Sequence, residues 1–288
     1  MTRFLRPSTV ADACAMKAGE PGAVPIAGGT DVMVQLNFRK RIPPTLIDLT
    51  GVDELGRWHR DGDVLRIGAG MTYTRIIDEV AELAPALTAA SRTVGSAQIR
   101  NRGTLGGNLG TASPAGDGLP PLVATGAEVE IISVRGGRTV PVESFCTGPK
   151  TTVLAPDELV AAVRVPVRRG PQRFAKVGTR SAMVIAVAAV ATAVDAAART
   201  VTVACGAVGP TPARARAAEE FSTTALDWDG GTPPTPEVTA RFGELVAEAC
   251  SPIDDLRASA AYRRRAVAVL AARTLTLVWS DFRRGTCA

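Results

Sequence analysis

Apolar and polar positions change their spacing several times in the first fifty residues. Ser8 can cap an amphipathic helix running to about Ala18, and Ala23 to Ala27 form a short apolar strand that ends in Gly28-Gly29. Thr30 or Asp31 then opens a second helix through Phe38, and Thr45 to Leu49 reads as another strand. A strand passing through Gly-Gly straight into a helix presents helix N-terminal amides to an anion, so AGGTDV is a candidate phosphate cradle.

Next comes a hairpin of Arg57 to Arg60 with Val64 to Gly68, turning at Asp61-Gly62-Asp63. Helices are expected from Thr72 and from about Pro85 to Val94. A second hairpin pairs Glu128 to Val134 with Arg138 to Val142 around Gly136-Gly137, and Leu159 to Val167 is strand-like. Arg168 to Pro171 is the candidate boundary, giving a first domain over 1–170, with subdomains of about 1–54 and 55–170, and a second over 171–288. The second unit reads as α+β. Arg173 to Gly178 is a strand, and Val184 to Val194 pairs with Thr200 to Val208. Helices follow near Arg214 to Glu220, Arg241 to Cys250 and Ser259 to Val278, with a Gly/Pro loop over Asp227 to Pro236. No internal repeat is visible.

Composition narrows the function. Hydrophobic residues at 46% and charged residues at 21% are ordinary for a globular chain, while aromatics at 4% leave few stacking platforms for nucleic acid. The formal charge of +5 comes from 33 basic and 28 acidic residues, and Lys17, Lys40, Lys150 and Lys176 are its only lysines. The clusters Arg39-Lys40-Arg41 and Arg263-Arg264-Arg265 are local, fitting a solvated face or a chain contact rather than a nucleic-acid partner. Cys14, Cys146, Cys205, Cys250 and Cys287 are far apart, with no C-x-x-C, which argues against a disulfide framework and against a zinc or iron-sulfur site made by this chain alone. His59 is the only histidine and reads as a surface strand residue, so Ser-His or Cys-His catalysis has little to draw on. MTRFLRPSTV shows no apolar core followed by a small-residue cleavage site, so export is not expected, and the longest apolar run, Met183 to Val194, is well short of the roughly 20 residues of a membrane helix. A cytoplasmic protein with no membrane span is expected.

The stretch TLGGNLGTASPAGD, residues 104–117, carries one charge, Asp117. Two readings are open: a plain loop, or a cradle in which glycines let backbone amides approach a phosphate while Asn and Thr add neutral donors. Neither G-x-x-x-x-G-K-[ST] nor G-x-G-x-x-G is present; Gly68-Ala69-Gly70 has Tyr73 where a third glycine belongs.

Ala27-Gly28-Gly29-Thr30-Asp31, then Gln98 to Asn108 as QIRNRGTLGGN and Thr111 to Asp117 as TASPAGD, resemble the FAD-binding medium subunit of molybdenum hydroxylases, the xanthine dehydrogenase and carbon monoxide dehydrogenase family. Phe174 to Gly178, GAVGPTP over Gly206 to Pro212, and SAAYR over Ser259 to Arg263 resemble its C-terminal domain, so nearly the whole chain is covered. The resemblance implies an α+β chain, with a PCMH-type FAD-binding domain of two α/β subdomains followed by a smaller α+β domain. It implies that Ala27, Gly28, Gly29, Thr30 and Asp31 face Thr104, Gly106, Gly107, Asn108 and Thr111 across the FAD pyrophosphate. Asp117 and Val160 also contact the cofactor in this reading, and Lys176 stands near the isoalloxazine edge. It further implies a large molybdopterin-binding subunit and a small [2Fe-2S] subunit as partners, in a heterotrimer or its dimer, with electrons passing through FAD to NAD+, oxygen or another acceptor. Many relatives carry acidic residues after this lysine, whereas Arg180 to Val184 supplies none, which leaves the acceptor open. The alternatives are a stand-alone FAD-dependent oxidase or dehydrogenase, and a non-enzymatic binding module whose glycine segments are only turns.

Overall fold

The computed structural model of the chain describes residues 2–38, 42–167, 170–230 and 232–285. The Arg39-Lys40-Arg41 cluster, Cys287 and the first two residues of the expected boundary lie outside the described residues.

The first unit is β1 (Arg3–Leu5), α1 (Val10–Gly19), β2 (Val24–Ile26), α2 (Val32–Asn37) and β3 (Thr45–Asp48). Its three strands are parallel in the order β1-β3-β2, with a helix in each connection. Thr9 caps α1, rather than Ser8: its hydroxyl accepts from the Asp12 amide at 3.0 Å, whereas Ser8 bonds the Asp12 carboxylate. Thr9 has the extended backbone that capping needs, at φ −129° and ψ 161°. Lys17 is buried and donates Nζ to the carbonyls of Pro21 and Ala23, fastening the end of α1 to the approach of β2.

The second unit contains β4 (Trp58–Asp61), β5 (Val64–Gly68), α3 (Tyr73–Glu79), α4 (Pro85–Arg92), α5 (Ala97–Arg102), α6 (Leu105–Thr111), α7 (Leu119–Thr125), β6 (Glu128–Ser133), β7 (Gly136–Pro141), α8 (Val142–Phe145), β8 (Cys146–Gly148), β9 (Thr151–Thr152) and β10 (Leu159–Pro166). Five strands pair in the order β4-β5-β10-β6-β7, with antiparallel neighbours. Alternation in β5 buries Leu65 and Ile67 and leaves Arg66 on the outer face, where it pairs with Glu130 at 2.8 Å. Leu105 and Leu109 of α6, with Leu119 and Leu122 of α7, join the core that those strand residues begin.

Residues 104–117 are therefore not simply a loop. Thr104 caps α6 by accepting from the Gly107 amide at 3.0 Å, and Ala112 ends the helix in the left-handed region at φ 45°. Three glycines in this short helix give it poor intrinsic propensity. The full burial of Leu105 and Leu109 supplies what propensity lacks.

The third unit is β11 (Gln172–Val177), β12 (Ala188–Asp195), β13 (Thr200–Gly206), β14 (Ala213–Arg214), α9 (Arg216–Ala225), α10 (Pro236–Glu248) and α11 (Ala260–Arg283). Its four strands form an antiparallel sheet in chain order. The β12 hairpin begins at Ala188, not Val184, because residues 178–187 turn away after β11 and Met183 takes φ 50°. Arg214 belongs to a strand rather than a helix, and α10 starts at Pro236, ahead of the expected Arg241. Both faces of the sheet are covered. Val190, Val194, Val201 and Val203 pack with Val267, Ala271, Leu275 and Val278 of α11. Ala191 and Ala204 join the core of the second unit, and Thr202 Oγ1 donates to the Ala124 carbonyl at 2.6 Å across that junction.

Candidate cofactor site

A cavity of about 740 Å³ opens where the three units meet. One wall is the turn from β2 into α2, contributed by Ala27, Gly28, Gly29, Thr30 and Asp31. The opposite wall is α6 and its cap, contributed by Thr104, Gly106, Gly107, Asn108 and Thr111. Asp117 and Val160 also line it, as do Met183, Val184 and Ile185 from the third unit. Lys176 stands behind Asp117: its Nζ lies 2.6 Å from Asp117 Oδ2 and also donates to the carbonyls of Thr93 and Val184.

The glycines divide by task. A β-carbon on Gly28 would run into the Arg102 carbonyl, and one on Gly106 would lie 2.5 Å from the Ala69 β-carbon. Both serve close packing of backbone on backbone. Gly29 takes φ 74°, which starts the turn into α2. Gly110 has nothing within 4 Å of an added β-carbon, although it lines the cavity.

The amides divide as well. In the first turn of α6 the N–H groups of Leu105, Gly106 and Gly107 already donate to the Met71 carbonyl, the Ala69 carbonyl and Thr104 Oγ1. On the facing turn, Gly29, Thr30 and Asp31 have no backbone acceptor for their amides within the described residues, and Asp31 makes no side-chain cap. The amides left for an anion are thus on the AGGTD side, while α6 presents its dipole and side chains. The two glycine pairs look symmetric in sequence but are not equivalent here.

Among the described residues, three buried polar atoms around this cavity lack a partner: Tyr73 Oη, Asn108 Oδ1 and Asp117 Oδ1. Such atoms are costly to leave unpaired and mark a place built for a polar ligand. Tyr73 was not anticipated from sequence, where it showed only as the residue that spoils a glycine motif. Its one available signal was its position directly after the helix-capping Thr72. Burial, with the negative charge of Asp117 nearby, pushes the Tyr73 phenol well above its ordinary range, so it stays protonated and can donate. Burial also pushes the Asp117 carboxyl up, and Lys176 offsets part of that shift by charge and hydrogen bonding. At the rim, Glu158 is held by Arg138 at 2.7 Å and accepts from the Ala155 amide; these hydrogen bonds place its carboxyl below the ordinary range. No cluster of three or more His, Cys, Asp or Glu side chains suited to a metal occurs among the described residues.

Comparison with known proteins gives this geometry its context. Residues 1–168 match the FAD binding domain in molybdopterin dehydrogenase, and residues 173–278 match the CO dehydrogenase flavoprotein C-terminal domain. The chain belongs to the FAD-binding medium subunits of the molybdenum hydroxylases. It is 32% identical over 277 residues to the nicotine 6-hydroxylase medium subunit of Paenarthrobacter nicotinovorans, covering 95% of each chain. To the xanthine dehydrogenase FAD-binding subunit of Escherichia coli O157:H7 it is 31% identical over 283 residues, covering 95% of this chain and 94% of the relative. In structure it superposes on a chain of carbon monoxide dehydrogenase from Hydrogenophaga pseudoflava with a TM-score of 0.90, at 26% identity and 98% coverage of both.

FAD is the cofactor of this family, and the residues present fit it. The open amides of Gly29, Thr30 and Asp31 belong to residues that line the cavity, and such amides suit an anionic pyrophosphate. A phenol, an amide oxygen and a carboxylate oxygen are left without partners among the described residues, as suits a large ligand with many polar groups.

Proposed function

We propose that this medium subunit is the outlet of a heteromeric molybdenum hydroxylase. A small partner subunit with two [2Fe-2S] clusters passes it electrons taken from substrate at a large molybdopterin-binding subunit, and it hands them to an external acceptor. The observation that carries this reading is the cavity between AGGTD and α6, with three unpartnered buried polar atoms and no metal-binding cluster among the described residues. Bound FAD supplies the exchange between one-electron and two-electron transfer.

The chain's own residues bind and tune. The amides of Gly29, Thr30 and Asp31 hold the pyrophosphate, with Ala27 and Gly28 setting the turn, and Thr104, Asn108 and Thr111 add neutral donors across the cleft. Gly106 and Gly107 bring the α6 backbone close, and Val160 gives an apolar wall. Asp117 Oδ1 accepts from the cofactor while Oδ2 holds Lys176, which lies outside the cavity lining and acts on the cofactor through Asp117, as half of an ion pair and not as a free cation.

Coexpression with and without the two partner genes tests this reading. The isolated chain should bind FAD yet leave it oxidised in the presence of N-heterocycles or aldehydes, while the assembled complex should reduce it. Substrate-dependent flavin reduction in the isolated chain would favour a stand-alone dehydrogenase, and a chain that takes up no flavin would remove both.

A further inference from the structure

We propose that Arg263, which is not itself part of the cavity lining, is a positioning residue that clamps the segments setting the Lys176–Asp117 pair. The inference rests on the reading that this pair stands beside the bound flavin.

Arg263 lies in the first turn of α11 and is 2% exposed. Its Nη1 donates to the carbonyls of Val187 at 2.7 Å and Ala207 at 2.8 Å, and its Nη2 pairs with Asp255 at 2.7 Å. The two carbonyls belong to segments that each lead to one member of the pair. The Val187 amide donates to the Val177 carbonyl, beside Lys176, and the same segment supplies the Val184 carbonyl that accepts from Lys176 Nζ at 3.2 Å. The Ala207 amide donates to the Pro114 carbonyl at 2.8 Å, in the TASPAGD segment that carries Asp117. A single guanidinium thus ties the segment that bonds Lys176 to the end of β13, which is hydrogen-bonded to the segment of Asp117.

Two carbonyls from different strand ends converge on one nitrogen of Arg263. The planar fork of arginine reaches both carbonyls and a carboxylate at fixed angles, which a lysine ammonium on a single pivot does not reproduce. Asp255 keeps the fork oriented. Its carboxyl is held far below the ordinary range by hydrogen bonds, first from the Arg257 amide and then from the Arg257 and Arg263 side chains. Removing the charge of Asp255 should therefore loosen the same clamp from the other side.

The test compares full-length Arg263→Lys, Asp255→Asn, Lys176→Met and Arg214→Lys, each reconstituted with FAD and checked for folding by circular dichroism. Arg214 is the control, an ion-paired arginine of the same unit whose carboxylate partners, Glu219 and Glu143, do not line the cavity. The readouts are the FAD dissociation constant and the flavin midpoint potential, which a purely structural loss would leave unchanged in the folded fraction. Arg263→Lys is expected to weaken FAD by about tenfold and to move the potential in the direction of Lys176→Met, with Asp255→Asn doing the same to a smaller extent and Arg214→Lys matching wild type. Should Arg263→Lys not fold, Asp255→Asn, which keeps the guanidinium, decides alone. Wild-type affinity and potential in folded Arg263→Lys or Asp255→Asn, with Lys176→Met altered, would overturn the clamp. Unaltered values in Lys176→Met would instead refute the pocket reading on which the clamp rests.

Discussion

Lys176 and Asp117 meet at 2.6 Å, one half-buried on the first strand of the C-terminal sheet and the other buried in the turn after α6. The sequence reading gave each its own task at the cofactor, whereas the structure joins them into a nearly neutral unit across the junction of two sheets. A cation and its counter-ion together exert a weaker and more directional field on a bound ring than a lone lysine would.

Removing one partner should be costly. Lys176→Met is expected to destabilise the chain by about 3–5 kcal/mol, since it strands a buried carboxylate. The double variant Lys176→Met/Asp117→Asn should recover part of that loss. Urea unfolding of the two variants beside wild type checks this, and a double variant no better than the single one would mean that the pair contributes little.

The glycines should separate into two classes. Gly28→Ala places a methyl on the Arg102 carbonyl and should reduce the stability of the FAD-free chain. Gly110→Ala, with open space around it, should instead raise stability by about 0.5–1 kcal/mol through helix propensity while weakening FAD. Thermal melts without cofactor and FAD titrations of the same samples measure both effects. Gly110→Ala with unchanged FAD affinity would take that face of α6 out of the site.

Acid sensitivity should trace in part to Glu158. Its folded pKa lies below the unfolded value of about 4.3, so its pairing with Arg138 stabilises the fold above that pH and the contribution is lost as pH falls toward the folded pKa. Glu158→Gln should therefore lower stability at pH 7 and flatten the decline between about pH 5 and pH 3. Denaturant midpoints across that range would show parallel curves if Glu158 were not involved.

Much of this was legible because hydrophobic periodicity reports burial directly. The β4–β5 and β6–β7 hairpins announce themselves by alternation around Asp-Gly and Gly-Gly, and α11 by its long apolar stripe. The helices α5, α6 and α7 were not legible. Glycines, prolines and capping hydroxyls read locally as turns, and only the core behind Leu105, Leu109 and Leu122 makes helices of them. At the site, sequence supplied the two motifs facing one another but not the difference between them. Which amides are already bonded depends on Met71 and Ala69, far earlier in the chain, and no local pattern records it. The Lys176–Asp117 bond and the part of Tyr73 are likewise products of tertiary packing.

The central claim is that AGGTD and α6 enclose the FAD pyrophosphate, and FAD titration of Gly107→Val tests it most directly. A β-carbon at Gly107 lies 2.9 Å from Thr104 Oγ1, at the capped end of α6 where it lines the cavity. Gly137→Val is the control, since it lies in the exposed distal strand β7 without a positive φ, unlike Gly136 at φ 114°. Asn108→Ala should fall between them, losing about 0.5–1.5 kcal/mol for one neutral hydrogen bond. The account predicts that folded Gly107→Val loses FAD affinity by more than about tenfold, with Gly137→Val equal to wild type. Equal affinities for Gly107→Val and Gly137→Val would contradict it.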